Sequence, residues 1–505
     1  MKKILLDTNI LIPLEDNGVV PESYSKLVRN LGTAGIQVFV HRASFDDIGR
    51  DDDKTRRENS ISKLKKYAAV EKSDRDLVKL TTEFGQINSP NDETDCQILS
   101  AIADGAADVL VTEDTELHRR AARFKLQDKV FRVRQLADYL SALNSVPETT
   151  VKFIEKKTCY QLDKNDPIFN SLRSDYQGFD NWWVKSCSLH RQCWIVRDEN
   201  DNIAGLVVFN DESETSGDGL FPSSRVLKLC TFKVSEPHRG GRLGEQLLKQ
   251  SIWHAVSAKY DVAYLTVFEK QTSLIDLLKL YGFVEHSNKN GELVFAKMLN
   301  ATVENEDQYA WHLMNYPKLH NSPIASAIIP IKPEFHKRLL PEASPFKAGT
   351  TLDMFEGTWS SKNMDDHIPA TAIRKVYVCK SQTKNMERGT RLYFYVTKNS
   401  ELEASQSLSA IGILEDYKIA GSLEELIRST AKRSVYRIDE LEKIYRADGP
   451  TKILNFIIVG TCSPSLKLIE LGALGILKGA PQSIVTISNV EATILRSTVK
   501  PNYLS

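Results

Sequence analysis

The stretch KKILLDTNIL, from Lys2 to Leu11, ends an apolar run on an aspartate. Ile4, Leu5 and Leu6 are too few for a helix and have the character of a short buried strand. Similar runs occur near Ile36–Val40, Val109–Thr112 and Val130–Val133, with helical stretches between them. Short apolar strands alternating with helices predict a parallel sheet covered by helices, and place residues 1–145 in the α/β class. Sheets of this kind open their sites beyond the carboxyl ends of the strands. Asp7 follows the first run and Asp114 the third.

Two further groups of acids belong to this region. Asp92 and Asp95 lie three apart at the start of a helix and share one face, with Ile98, Leu99 and Ile102 as the buried stripe. Asp46 and Asp47 follow the second strand. Taken singly, Asp7 or Asp92 reads as a helix cap, and Asp46 and Asp47 as solvated. Taken together, converging carboxylates repel one another unless a divalent cation sits among them. Oxygen-only donors suit Mg²⁺ or Mn²⁺, and such a site turns water into a nucleophile for phosphodiester cleavage.

LLDTNIL, the D-x-x-D-x-x-I pattern at 92–98, and VTED followed by ELHRRA at 111–121 resemble the PIN domains, metal-dependent nucleases acting mostly on RNA. The resemblance implies metal ligation by Asp7, Asp95 and Asp114, supported by the Thr8 hydroxyl and the Asn9 amide. The family's second acid, usually Glu, falls at Asp46 or Asp47. Asp47 is the better match because it precedes an apolar residue, although its arm is shorter.

After SVPETT (145–150), which reads as a linker, residues 151–300 change character. A hairpin, CWIVRDENDNIAGLVVFN, leads to a long strand, VLKLCTFKVS, then a basic glycine turn and a helix from about Gly241 to Tyr260. VAYLTVF is another strand and TSLIDLLKLYGF a short helix ending at a glycine. A glycine turn opening a helix lets backbone N–H groups approach a phosphate. This order resembles the GNAT acetyltransferase core. It implies that Lys233 and Val234 hold the pantetheine arm of acetyl-CoA, and that Arg239, Gly240, Gly241, Arg242, Leu243 and Gly244 grip its pyrophosphate. Arg242 stands where the family has glycine. The family's Tyr acid falls at Leu278, which leaves Tyr281 as the candidate acid or a packed helix-end aromatic, and Glu269 as a candidate base or a solvated residue.

Residues 301–505 open with a Pro- and Ser-rich stretch, read as a linker to about 370. Strand-like segments at 374–379, 391–397, 409–417 and 452–460 then predict a small β-rich barrel with helices. MERGTRLYFYV followed by AIGILEDY resembles the ASCH domains, PUA-like barrels linked to RNA. The resemblance implies phosphate contacts from Lys380, Lys384, Arg388 and Arg391. Tyr377, Tyr393 and Tyr395 either stack on bases or fill the barrel core.

A chain of 505 residues is too long for one core. Its 66 basic and 66 acidic residues cancel, so nucleic-acid binding must come from local patches. No apolar run reaches membrane-spanning length, and Asp7 interrupts the first run too early for a signal peptide. Seven cysteines without a CxxC pair read as reduced thiols of a cytoplasmic protein. The composite expectation is a multi-domain α/β enzyme: a PIN-like ribonuclease, a GNAT-like N-acetyltransferase and an RNA-binding barrel. Such a combination suggests a toxin with an antitoxin partner, or a defence protein, acting on RNA such as tRNA or on an RNA-bound target. The alternative is a protein acetyltransferase or regulator whose PIN-like part is inert.

Overall fold

The computed structural model describes residues 3–15, 24, 27, 31, 36–50, 52–65, 67–144, 153–198, 200–212, 220–221, 224–235, 238, 242–289, 291–322, 324–343, 367–369, 371–398, 405–430 and 435–503. The chain divides into two compact units. The first is Met1–Pro147 with Ser422–Lys432, and the second is Glu148–Gly421 with Arg433–Ser505.

The first unit runs β1 (Lys3–Leu6), α1 (Thr8–Glu15), β2 (Gln37–His41), α2 (Arg42–Gly49), α3 (Lys54–Leu64), β3 (Ala68–Val70), α4 (Leu77–Phe84), α5 (Pro90–Ala103), β4 (Val109–Val111), α6 (Thr115–Arg123), β5 (Val130–Phe131) and α7 (Val133–Asn144). All pairings are parallel, in the order β3-β2-β1-β4-β5. The strands are apolar on both faces because both are covered: Ile4 and Leu6 enter one layer, Leu5 the other. Each fully buried side chain of this size contributes about 1.5–3 kcal/mol. The chain builds outward from β1 to β3, then returns to add β4 on β1's other side. That reversal opens a crevice past the ends of β1 and β4. The helix Leu423–Thr430, expected in the C-terminal barrel, belongs to this unit, and its Ile427 packs against the Ile4–Leu6 layer.

The second unit contains two sheets. The elements of the first are β6 (Phe153–Thr158), α8 (Ile168–Asp175), α9 (Phe179–Ser188), β7 (Gln192–Arg197), β8 (Ile203–Glu212), β9 (Val226–Val234), α10 (Leu243–Ser257), β10 (Val262–Val267), α11 (Thr272–Leu280), β11 (Val284–Lys289) and β12 (Glu292–Met298). Then follow α12 (Gln308–Met314), β13 (Ser326–Ile331), α13 (Pro333–Leu339), β14 (His367–Pro369), β15 (Arg374–Cys379), β16 (Arg391–Val396) and β17 (Ser407–Ile419). After the helix Leu423–Thr430 (α14) come α15 (Ile438–Arg446), β18 (Lys452–Ser463), α16 (Leu468–Ala473), β19 (Val485–Ile487), α17 (Asn489–Thr498) and β20 (Lys500–Asn502). The eight-stranded sheet has the order β11-β12-β10-β9-β8-β7-β6-β14. The seven-stranded sheet runs β15-β18-β17-β16-β13-β19, with β20 on β18.

Part of the expected linker is therefore structure. β14 edges the eight-stranded sheet by pairing with β6, and β13 pairs in parallel with β16. Pro330 inside SAIIPI argues against a strand by pattern alone. It is tolerated because β19 pairs only with Ser326–Ile328 and stops short of it. All seven cysteines are free, and among the described residues no helix is long and apolar enough to cross a membrane.

Candidate functional site

In the first unit, Asp7 ends β1 and its N–H donates to the Val111 carbonyl (3.0 Å). The Thr8 N–H donates to Asp7 Oδ1 (2.7 Å), and the Thr112 hydroxyl donates to Oδ2 (2.6 Å). The same Thr112 oxygen accepts from Asn9 Nδ2 (3.1 Å) and from the Asp114 N–H (3.0 Å). Thr112 thus ties the ends of β1 and β4 together. Reading the sequence missed this role, although the threonine two before Asp114 was its signal. Asp114 Oδ1 caps α6, accepting from Glu116 N (2.7 Å) and Leu117 N (3.1 Å).

Asp95 comes in from α5 and has no hydrogen-bond partner among the described residues. Burial, then the charges of Asp114 and Asp7, push its carboxyl up to about 7. Burial also raises Asp7, against the pull of Thr112 and Thr8, and Asp114 raises it further. The three expected acids are therefore electrostatic neighbours. They do not form a closed ligand shell: among the described residues no three His, Cys, Asp or Glu side chains are gathered to ligating distance.

The other acids have partners. Asp92 pairs with Arg120 (2.6 Å) and accepts from Asn88 N and Ser89 Oγ (both 3.0 Å); the cap itself is Ser89, whose hydroxyl accepts from the Asp92 N–H. Asp46 pairs with Lys72. Asp47 lies on α2, bound to Arg50 (2.5 Å), and is not among the charges acting on Asp95.

In the second unit a wedge opens between β9 and β10. These parallel neighbours pair only from Val226↔Val262 to Leu229↔Leu265. Beyond that point β9 stays on β8 as far as Val234, and β10 stays on β12 as far as Val267. The cause is a bulge. Val208 pairs with Thr231 and Phe209 with Leu229, leaving Cys230 unpaired where the two strands part. Lys233 and Val234 lie on the freed end of β9.

α10 begins just past this opening. Gly205 lets it close onto the sheet, since a Cβ there would meet Leu243 and Leu247 at 2.9 Å. Arg242 precedes the helix in the left-handed region (φ 59°) and its side chain does not cap the first turn, so among the described residues the first-turn N–H groups can face an anion. Gly244 looks into the wedge: a Cβ there would lie 3.5 Å from Leu277, 3.8 Å from Val234 and 3.9 Å from Phe232. Leu243 is buried in the first turn. Arg239, Gly240 and Gly241 lie outside the described residues.

Tyr281 is not placed as a proton donor. It is fully buried, its hydroxyl donates to Glu245 Oε1 (3.2 Å), and burial then Glu245 drive its pKa far up. Glu245 also accepts from Arg374 N (2.7 Å) and Nη2 (3.1 Å). Burial opposes its charge, but Arg374 and Arg242 hold it down at about 2. Glu269 is exposed at the end of β10.

The basic residues expected to hold nucleic acid divide in two. Lys380 Nζ donates to the carbonyls of Tyr445 (3.2 Å), Ala447 (2.8 Å) and Gly449 (2.6 Å), closing the end of α15. Arg391 is buried and donates to the His320 carbonyl (2.8 Å). Both are structural. Arg388 is exposed beside Asp307 (3.6 Å) and over the Tyr309 ring, and Lys384 is exposed. Tyr377, Tyr393 and Tyr395 are buried in the sheet's core, which removes the stacking role.

The cluster around Glu342 escaped the sequence reading altogether. Lys249 (3.3 Å) and Lys375 (3.1 Å) both pair with it. Burial opposes its charge, yet Lys249 and Lys375 hold its carboxyl at about 2. Glu245 and Glu342 both lie below the ordinary 4.5. Their stabilisation is complete above about 4.5 and is lost as pH falls toward 2. Melting followed by circular dichroism from pH 5 to 2 should show the second unit weakening across that window, and Glu342→Gln should flatten the fall. An unchanged slope in the variant would contradict the assignment.

Residues 156–283 match the model of the Acetyltransferase (GNAT) family. No curated protein matches the chain. Among solved structures, a GNAT family acetyltransferase from Elizabethkingia anophelis with acetyl-CoA bound is 16% identical, covering 29% of this chain and 98% of its own, with a TM-score of 0.22. The IAA acetyltransferase of Bacillus cereus ATCC 14579 is 14% identical over 29% and 98%, with a TM-score of 0.23. An ASCH protein from Zymomonas mobilis is 14% identical over 35% and 96%, with a TM-score of 0.25. The family match thus covers the strands and helices that form the wedge, and neither the first unit nor the seven-stranded sheet.

Proposed function

We propose that the second unit transfers an acetyl group from acetyl-CoA to an amine. The observation that carries this reading is the wedge: β9 leaves β10 at the Cys230 bulge, and the start of α10 lies beside the opening. Acetyl-CoA supplies an acyl group activated as a thioester. The freed edge of β9, with Lys233 and Val234, would hold the amide-bearing arm. The first turn of α10, with Leu243 and Gly244, would hold the pyrophosphate, and the GNAT-family match at 156–283 supports the same assignment. RNA as the carrier of the amine rests on Lys384 and Arg388 alone.

Calorimetric titration of acetyl-CoA into the full chain should give a Kd between roughly 1 μM and 1 mM. Gly244→Phe, which fills the wedge, should weaken it at least about tenfold, while Gly244→Ala, whose Cβ meets only ordinary contacts, should cost far less. No heat of binding to the wild-type chain would sink the reading.

A second reading concerns the first unit. Asp7, Asp95 and Asp114 would hold Mg²⁺ or Mn²⁺, and the unit would cleave RNA. What favours it is Asp95, a carboxylate facing two others with no hydrogen-bond donor of its own. The donor set is all oxygen and fits a hard divalent cation, which would supply an activated water. Asp47 would join only by leaving Arg50. The decisive variant is Asp95→Asn.

A further inference from the structure

One face of α10 is polar and buried. Glu245, Lys249 and Trp253 are spaced by four and are 3%, 2% and 1% exposed. Every fourth residue of a helix lies on one stripe, and an apolar partner would demand apolar residues there. This stripe instead meets polar groups from residues 316–375. Glu245 accepts from the Arg374 N–H and guanidinium. Lys249 donates to Thr371 Oγ1 (2.7 Å) and pairs with Glu342, which also holds Lys375. Trp253 Nε1 donates to the Tyr316 hydroxyl (2.8 Å). Arg242, at the helix start, donates to the Arg374 carbonyl (3.2 Å).

Arg374 is the first residue of β15, an edge strand of the seven-stranded sheet paired with β18. It reaches the opening turn of α10 twice: its carbonyl accepts from Arg242, and its guanidinium and N–H bind Glu245. Those two residues bracket Leu243 and Gly244. The seven-stranded sheet therefore fixes the attitude of the turn that faces the wedge. It also turns Arg242 toward itself.

We infer that Arg374 is a positioning residue for acetyl-CoA, so that the seven-stranded sheet is a working part of the acetyl-transfer site and not a separate binding module. The inference rests on the acetyl-transfer reading of the wedge. The Arg374 guanidinium acts through Glu245, which sets the direction of the first-turn N–H groups, while its main-chain N–H on Glu245 and carbonyl on Arg242 are contacts the side-chain variants keep. The Lys249 contact lies one turn further along the same helix and does not touch that opening turn.

The test compares acetyl-CoA titration and steady-state kinetics for the full-length wild type, Arg374→Lys, Arg374→Ala and Lys249→Met, with folding checked by circular dichroism. Arg374→Lys keeps the charge and loses the forked grip on Glu245. We expect Arg374→Ala to raise the acetyl-CoA Kd and KM about tenfold or more and Arg374→Lys to fall between it and wild type. The kcat and the KM for the amine should change less than about threefold. Lys249→Met should leave acetyl-CoA affinity within about threefold although it breaks a contact on the same face. Equal losses in Lys249→Met and Arg374→Lys would mean general loosening of α10 and would overturn the role. Wild-type affinity retained in Arg374→Lys, the variant least apt to unfold, would overturn it as well. A wild-type chain that binds no acetyl-CoA would overturn the reading of the wedge, and this role with it.

Discussion

On the metal-site reading proposed for the first unit, Asp95→Asn should remove metal-dependent RNA cleavage and, at the same time, make that unit harder to unfold. Burial and the charges of Asp114 and Asp7 all oppose ionisation of Asp95, and the charge of Arg120 offsets them only in part. An isosteric amide takes away the repulsion without changing the packing of Cys96, Ile98 and Leu99 behind it. The gain should be roughly 1–2 kcal/mol, several degrees in Tm. A cation held between Asp7, Asp95 and Asp114 loses a ligand in the same substitution, so turnover should fall by about 10³, roughly 4 kcal/mol of transition-state stabilisation. Cleavage of a labelled single-stranded RNA with Mn²⁺, alongside calorimetric melting, reads both. Equal cleavage by variant and wild type would remove Asp95 from the site. A wild-type chain that neither cleaves nor gains stability with Mn²⁺ would identify the first unit as a binding module.

The largest loss of stability should come from Gly282→Ala. Gly282 has φ +77°, and a Cβ there would lie 1.8 Å from the Met314 carbonyl oxygen, a backbone atom that cannot swing aside. The closeness is enforced by Lys297, buried in β12, whose Nζ donates to the carbonyls of Tyr281 and Met314 (both 2.8 Å). One ammonium thus draws the end of α11 and the end of α12 together, and only glycine leaves room. The left-handed conformation alone costs about 1–2 kcal/mol for alanine. With the clash added, roughly 3–5 kcal/mol is expected. Gly291 is the matching control: its φ is +83° and nothing lies within 4 Å of its Cβ position. Urea unfolding should show Gly291→Ala paying the conformational cost only. Similar losses in the two variants would refute the close approach as the cause.

The parallel sheet of the first unit was legible because its strands are apolar on both faces, which leaves uninterrupted runs such as Ile4–Leu6. Asp7 was legible as a strand-end acid because it follows such a run directly, and Asp114 because it comes three residues after the end of another. The role of Thr112 was not, since a hydroxyl joining two strand ends depends on their being neighbours. The order of β9 and α10 could be read from the pattern, whereas the wedge between β9 and β10 could not, because it arises from one unpaired residue, Cys230, in an otherwise regular strand. The basic residues at 380–391 misled for a related reason. Lysine and arginine in a strand-rich segment look like a solvated face, and only the fold shows that Lys380 closes a helix end and Arg391 is buried. Glu245 and Lys249 were missed because charges four apart on a helix ordinarily face water. Here their countercharges come from residues about 90 to 130 positions later.

The placement of the helix Leu423–Thr430 has a topological consequence. The first unit is made from two stretches of chain separated by most of the sequence, so the polypeptide passes between the units three times over its length. Cutting the chain between 145 and 152 would detach residues 1–147 covalently and leave only the helix Leu423–Thr430 of the first unit joined to the second. A fragment ending at 147 is not the first unit released, but the first unit with one wall removed and part of its Ile4–Leu6 layer opened to water. The boundary of this unit is therefore not a single position in the sequence.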